Sequence, residues 1–199
     1  MDDAIVERIG RIYAAVGGLE EDDPAKLRAN VIQTERIKGL LQDFRGDLTD
    51  DDLCNYAHMA IDNIANLRDH LKGWAVHNGQ NKARVDEAVN NSLGLQIVID
   101  LADNDKHGYP PRNGGYSGKC PKLVKINRVM ELRTRAKEGS TIGMTLGAGG
   151  VPKFFGDGTG KAIITGDVVD NNNKRIGELS EIIGQAVDAW ERLLGDFGF

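Results

Sequence analysis

The chain has 199 residues, 40% of them hydrophobic and 28% charged, which is the composition of an ordinary soluble globular protein. Its N-terminus, Met1-Asp2-Asp3, lacks the basic region and apolar core of a signal peptide, and no apolar run approaches the roughly 18 residues that span a bilayer. Cys54 and Cys120 have no metal-ligand partners at a recognisable spacing and are expected to be free thiols. We therefore predict a cytoplasmic protein with no membrane partner.

The first half of the chain carries helical stripes of apolar residues. The longest stripe predicts a spine helix that is capped by Thr49 and continues to about His77, because Asn78-Gly79 is a strong stop signal. Its apolar side chains recur at spacings of four and three: Leu53, Ala57, Ala60, Ile64, Leu67, Leu71 and Trp74. Similar stripes predict four more helices, over residues 4–16, 24–44, 81–89 and 93–106.

The predicted helix over 24–44 has both a start signal and a stripe. Asp23 is a good N-cap, and Pro24 occupies the first helical position, where its missing N–H costs nothing. The stripe consists of Leu27, Val31, Thr34, Ile37, Leu41 and Phe44, and Gly46 is expected to end the helix.

After Gly108 the pattern changes to a glycine-rich loop followed by strand periodicity. The sequence predicts strands from Lys122, over 142–146 and over 161–169, and then a last helix over 176–197. The fold class is therefore predicted to be α+β, a mainly helical bundle of about five helices with a small antiparallel three-stranded β-meander before the C-terminal helix. The predicted divisions of this single domain are bundle 1–108, loop 109–121, meander 122–170 and returning helix 176–197.

The C-terminal end of the most apolar predicted helix carries a dense polar cluster. Asp100, Asn104 and His107 share one face by their spacing of four and three, and Asp103 stands one turn before His107. A histidine oriented by a carboxylate can act as a general acid or base near neutral pH. The alternative is structural, because basic residues in a last turn complement the helix dipole and Gly108 is an ordinary helix terminator.

The same cluster carries a family resemblance. The pattern Asp100-Leu101-Ala102, Asn104 and Lys106-His107, downstream of 67–71, resembles a group of uncharacterised bacterial helical proteins of about this size. That group is similar to the HEPN superfamily, whose helical bundles include RNases with an arginine shortly before a histidine on one helix. Here an aspartate precedes the histidine, and Arg68 on another helix would replace the arginine in space. The resemblance implies a metal-independent RNase with His107 as general acid/base and with Arg68, Asp103 and Asn104 in its site.

The sequence support for two other kinds of site, a metal site and a phosphate-binding loop, is weaker. His58 and Asp62 are four residues apart on the spine helix and could supply two metal ligands, but no third ligand lies at a recognisable spacing. Residues 156–161 end like a phosphate-binding loop, but the leading glycine is missing and Ala162 replaces the required hydroxyl. We therefore predict no metal and no cofactor.

A basic segment stands out from the otherwise acidic chain. Residues 106–137 contain nine Lys or Arg residues and only Glu131 as an acid, a local charge of +8 in a chain whose net charge is −5. Tyr109 and Tyr116 are interleaved with these cations, and such a mixture suits phosphate backbones and unstacked bases. The alternative is a solvated strand face balanced by acidic helices. The predicted binding residues are Arg112, Lys119, Lys122, Lys125, Arg133 and Arg135.

Two functional classes follow from these patterns. The first is a binding or interaction module whose basic strand and loop contact RNA, single-stranded DNA or an acidic protein. The second is the HEPN-like RNase. The binding module needs only charge, which the sequence shows, whereas the RNase needs a geometry that sequence does not show, so the first is preferred. A homodimer is compatible with either.

Overall fold

The structure is a computed structural model that describes residues 3–27, 29–33, 38–42, 44–110, 114–147 and 150–199, with 29–33 and 38–42 described by their backbone. Within these residues the α-helices are α1 (Asp3–Gly17), α2 (Asp50–His77), α3 (Ala83–Asn90), α4 (Leu93–His107) and α5 (Leu179–Phe197). The β-strands are β1 (Glu20–Glu21), β2 (Ala29–Gln33), β3 (Lys38–Gln42), β4 (Lys122–Arg133), β5 (Ile142–Leu146), β6 (Pro152–Gly156), β7 (Thr159–Val169) and β8 (Arg175–Glu178). None of the described helices has a stretch long and apolar enough to cross a membrane.

Helix α2 is the predicted spine, and its start confirms the predicted cap. The Thr49 hydroxyl accepts a hydrogen bond from the Asp52 backbone N–H, while the Asp52 carboxylate accepts one from the Thr49 backbone N–H. This reciprocal capping box satisfies two N–H groups that the helix leaves without partners. The apolar stripe of α2 is buried in the main core, and the Trp190 indole of α5 donates a hydrogen bond of 3.0 Å to the Ile64 carbonyl.

Helices α4 and α5 cross at close range because of a glycine. A Cβ at Gly94 would lie 2.7 Å from the Gln185 Cβ and 3.0 Å from the Ile182 carbonyl oxygen. Only glycine allows the two backbones to approach this closely. Leu95, Ile97 and Val98 of α4 are each at most 1% exposed, as their nearly continuous apolar run predicts.

The predicted helix over 24–44 is wrong. The Asp23 carboxylate does accept from the Ala25 N–H, at 2.9 Å, but the turn that it caps is a single 3-10 turn over Pro24–Lys26. Strands β2 and β3 follow and pair antiparallel, with Asn30 opposite Leu41 and Ile32 opposite Gly39. A glycine inside a helix costs about 1 kcal/mol relative to alanine, and β-branched residues favour strands. Thr34 and Ile37 of the predicted stripe lie outside the described residues.

The predicted three-stranded meander is also wrong in its strand count and pairing. β7 pairs antiparallel with β4 along one edge and with β1 and β8 along the other, so the sheet has four strands. The predicted strand over 142–146 exists as β5, but it pairs with β6 in a separate two-stranded ribbon. The Gly147 N–H donates a hydrogen bond of 2.7 Å to the Val151 carbonyl, which ties the end of β5 to the start of β6. The fold class remains α+β with antiparallel sheets.

Candidate functional site

The buried carboxylate of Asp100 holds the glycine-rich loop against α4. Asp100 is 1% exposed, and its carboxylate accepts hydrogen bonds from the backbone N–H groups of Tyr116 at 2.6 Å and Ser117 at 2.9 Å. The Ser117 hydroxyl donates a third, at 2.6 Å. Burial raises the pKa of the Asp100 carboxyl above its ordinary value, and these hydrogen bonds oppose the rise. Asp100 therefore satisfies three donors of the loop at once.

Asn104, one turn after Asp100, fixes the end of the same loop. Its side-chain amide donates to the Pro121 carbonyl at 2.8 Å, and its buried Oδ1 has no hydrogen-bond partner among the described residues. The Tyr109 hydroxyl donates to the Cys120 carbonyl at 3.4 Å, so the start of the loop contacts its end. Asp100 and Asn104, which the sequence places on one face of α4, together position the described part of the loop.

Arg68 supports the loop from α2. Its guanidinium lies over the Tyr116 ring, 4.7 Å from the ring centroid, which is a favourable cation–π arrangement. The same guanidinium donates to the Asp86 carboxylate of α3 at 3.2 Å, and Lys72 contacts that carboxylate at 2.6 Å. The hydrogen bonds from Lys72 and Arg68 hold the pKa of Asp86 below its ordinary value. Arg68 thus links α2, α3 and the tyrosine of the loop.

Some of the predicted catalytic residues make the contacts described above, and His107 is exposed to solvent. Arg68 engages Asp86 and Tyr116, and Asn104 engages Pro121. Asp103 is half-buried, and its negative charge adds to the rise in the Asp100 pKa. The His107 side chain is exposed and makes no hydrogen bond or ion pair with any described residue. It stands seven residues after Asp100, about 10 Å farther along the helix axis.

The predicted binding residues differ in how far their charges are neutralised. Lys119 and Lys122 are exposed and form no ion pair within the described part of the chain, and the Arg135 side chain is also exposed. Lys125 lies 3.4 Å from the Asp167 carboxylate, and the Arg133 Nε lies 2.7 Å from the Glu131 carboxylate. Arg112 lies outside the described residues.

The loop and the start of β4 carry two partly exposed tyrosines and the two exposed lysines that have no ion pair among the described residues. We call Tyr109, Tyr116, Lys119 and Lys122 the tyrosine–lysine segment. The two tyrosines are 43% and 45% exposed, although Arg68 covers one face of the Tyr116 ring. Tyr109 and Lys122 also line a small cleft of about 240 Å³ whose other polar residues are His58, Asn104 and Asp105.

No protein-family model, curated protein or solved structure matches this chain. The HEPN resemblance therefore stays a prediction. Among the described residues, no group of three or more His, Cys, Asp or Glu side chains could hold a metal ion. Cys54 and Cys120 are free cysteines.

Sequence reasoning missed Arg128, the buried arginine of β4. Its side chain is 8% exposed, and the residue lies opposite Ile164 of the central strand. The sequence does contain a signal for this residue. Apolar and polar residues alternate along β4, and Arg128 occupies one of the alternate positions that Ile126 and Met130 share. A bulge between Val124 and Asn127 shifts the register, but Ile126 still packs against the core. A cation in an apolar phase indicates a buried charge with a specific partner.

A glycine pair in the loop tests how tightly Asp100 holds it. Gly115 and Gly118 both have positive φ, +73° and +66°, so alanine is strained at either position. A Cβ at Gly115 would also overlap the Asp100 carboxyl, whereas a Cβ at Gly118 meets nothing within 4 Å. We expect Gly118→Ala to cost about 1 kcal/mol of unfolding free energy and Gly115→Ala at least about 2 kcal/mol more, measured by urea denaturation. Equal losses would contradict the tight contact.

Proposed function

We propose that the protein is a binding module that uses the tyrosine–lysine segment to bind single-stranded nucleic acid, with RNA as the first ligand to test. The observation that carries the proposal is the anchored loop, in which Asp100 and Asn104 fix the backbone beside two half-exposed tyrosines. Ordering a loop before binding removes part of the entropy that ligand binding otherwise costs.

The chemistry of the segment suits unpaired bases better than a duplex. Lys119 and Lys122 supply charges for phosphates, and each tyrosine supplies a ring on which a base can stack. Arg68 covers one face of the Tyr116 ring, and the ring is 45% exposed, so we expect a base to stack on the opposite face. Asp105 lines the same cleft as Lys122 and opposes anions there, so binding is expected to depend on the rings as well as on charge.

The ion pairs explain why the tyrosine–lysine segment is favoured over the outer part of β4. Lys125, Arg133 and Lys137 each contact a carboxylate, which offsets much of the charge that the sequence suggests. Arg128 is buried and does not contribute to an external surface. The cations that remain available lie mainly in the loop and at the first residue of β4.

The first test reverses two charges and measures RNA binding. Lys119→Glu combined with Lys122→Glu is expected to weaken binding of a labelled single-stranded RNA about tenfold or more at low salt, because two phosphate contacts are lost. The slope of log affinity against log salt concentration should also fall by about 1.4. Fluorescence anisotropy at several salt concentrations, with EDTA present, measures both quantities.

The matched control makes the same change in net charge elsewhere. Lys153→Glu combined with Lys174→Glu alters two exposed lysines outside the segment and should leave RNA affinity close to that of the wild type. If both double variants weaken binding equally, net charge rather than a site is responsible.

The same samples separate the alternatives when they are also examined for cleavage. The HEPN-like RNase requires that the RNA is cut in EDTA and that His107→Ala abolishes cutting while binding persists, because loss of a general acid/base lowers a rate by about 10²–10⁴. We expect retention without cleavage and little effect of His107→Ala. If the RNA is neither retained nor cleaved, the proposal is contradicted. That result would favour an acidic protein partner.

A further inference from the structure

A second cavity is lined by Arg128, the buried arginine that sequence reasoning missed. It has a volume of about 590 Å³, and its walls include β1, the 3-10 turn, residues 45–48 and Tyr56 of α2. Arg128 and Ile164 form the part of the wall that belongs to the sheet. A cavity of this volume is in the range of small-molecule sites.

The positive charge of Arg128 is only partly compensated by the described residues. Its Nη1 donates to the Arg45 carbonyl at 3.2 Å, and its Nη2 lies 4.0 Å from the Glu21 carboxylate. Its buried Nε has no hydrogen-bond partner in the part of the chain that the structure describes. Burial also lowers the pKa of Arg128, as expected when a cation is poorly solvated.

The nearest carboxylate is engaged by other donors. Glu21 accepts from the Lys26 ammonium at 2.9 Å and from the Asp23 backbone N–H at 3.1 Å. The Lys26 contact is the main reason that the pKa of Glu21 lies below its ordinary value. Glu21 therefore forms a close ion pair with Lys26, whereas its distance to Arg128 is at the outer limit of an ion pair. A buried charge without close pairing is costly, and an anionic ligand group would relieve that cost.

The other lining residues restrict the kind of anion. Three carboxylates, Glu20, Glu21 and Asp47, line the cavity beside Arg128. The cations Lys26 and Arg45 line it as well, but Lys26 is paired with Glu21 and Arg45 with Asp50. A doubly charged phosphate would therefore meet more repulsion from the carboxylates than a singly charged carboxylate ligand would. Leu48 and Ile164 provide apolar wall, and Tyr56 adds an aromatic ring. A guanidinium also matches the planar carboxylate group in shape.

We propose that this cavity binds a small organic carboxylate, with its carboxylate group paired to Arg128 and its apolar body against Tyr56 and Leu48. This site is separate from the tyrosine–lysine segment and does not depend on nucleic-acid binding. Benzoate is a suitable probe because it combines one carboxylate with an apolar ring. Benzamide has the same shape without the charge, and inorganic phosphate has charge without the ring.

The test titrates benzoate into the full chain and follows amide and guanidinium signals by NMR. We expect saturable shifts at residues that line the cavity, at least about tenfold weaker binding of benzamide and phosphate, and a similar loss in Arg128→Gln. Arg133→Gln, an exposed arginine on the same strand, should bind benzoate like the wild type.

A second variant keeps the test valid if Arg128→Gln does not fold. Ala25 is exposed and lines the cavity, so Ala25→Phe should occupy part of the volume while leaving Arg128 in place. It is expected to weaken benzoate binding at least about tenfold, because the ligand would lose space rather than charge. Absence of saturable benzoate binding to the wild type would overturn the proposal. So would unchanged binding in both variants, or tighter binding of phosphate than of benzoate.

Discussion

Asp100→Ala is expected to lower the free energy of unfolding by about 3 kcal/mol or more. The reason is that three hydrogen-bond donors share the Asp100 carboxylate as their acceptor, and all three would lose it. The N–H groups of Tyr116 and Ser117 would lose their partner in a part-buried site. Denaturation with urea measures the loss. The same variant should speed hydrogen exchange at these two amides far more than at amides of α2.

The control for this variant lies on the same helix. Asp105 is exposed, and its side chain makes no hydrogen bond within the described residues, so Asp105→Ala should change stability by no more than about 0.5 kcal/mol. A small effect of Asp100→Ala, comparable with that of Asp105→Ala, would mean that the loop does not depend on its carboxylate anchor.

The pH dependence of the Asp100 contribution has a definite sign. Burial raises the pKa of Asp100 in the folded protein, so the folded state binds this proton more tightly than the unfolded state does. The contribution of this group to stability is therefore largest below the ordinary carboxyl pKa and decreases as pH rises through the raised one. The loss caused by Asp100→Asn, which does not titrate, should be larger at about pH 4 than at about pH 7. The opposite trend would mean that hydrogen bonding to the ionised form outweighs burial.

The parts of the fold that sequence predicts well are those determined by local patterns. Helix α2 begins at its predicted cap, since Thr49 and Asp52 lie three residues apart and their mutual hydrogen bonds need no other element. Helix α5 has the clearest apolar stripe, and it is buried along Leu179, Ala186 and Trp190. In α2 the spacing of apolar residues and the end signals agree. The stripe of α5 does not determine where that helix starts: it begins at Leu179 rather than at the predicted residue 176, because residues 176–178 belong to β8.

The errors arise where a local signal is ambiguous or where the partner is distant in sequence. Asp23 and Pro24 start a helical turn correctly, but nothing local shows that the turn ends at Lys26. Glu20 pairs with Ile163 across about 140 residues, and such a pairing leaves no local pattern. The two-residue strand β1 was therefore not predictable from periodicity.

In the candidate site, too, the local pattern is predictable from the sequence and the distant partners are not. The polar cluster at the end of α4 is visible in the sequence, and the shared face of Asp100 and Asn104 is correct. Their partners are not visible, because the groups that they bind are backbone N–H and carbonyl groups of the loop, which every residue carries. Side-chain identity therefore indicated a cluster but not its anchoring role.

Removal of the two tyrosine rings is expected to weaken binding of single-stranded RNA at every salt concentration. Base–aromatic stacking is worth about 1–3 kcal/mol per base, so Tyr109→Ala combined with Tyr116→Ala should lower affinity by roughly 10²-fold or more. Anisotropy titrations with the RNA of the charge-reversal test measure this effect. The double Tyr→Phe variant keeps both rings and should bind within about threefold of the wild type.

The controls for the rings use another exposed aromatic residue and a duplex. Phe155 is 58% exposed on the β5–β6 ribbon, so Phe155→Ala tests whether loss of any exposed ring weakens binding. It should have little effect. Double-stranded RNA, whose bases are already stacked, should bind weakly and should respond little to the tyrosine changes.

The salt dependence distinguishes the two kinds of contact within the tyrosine–lysine segment. Substitution of the tyrosines removes no charge, so the slope of log affinity against log salt should stay that of the wild type while the affinity itself falls. The Lys119→Glu and Lys122→Glu changes should instead reduce the slope. A tyrosine variant with normal affinity would leave only nonspecific attraction between the lysines and phosphates. A tyrosine variant with a reduced slope would mean that its loop no longer presents Lys119 and Lys122, because stacking alone releases no counterions.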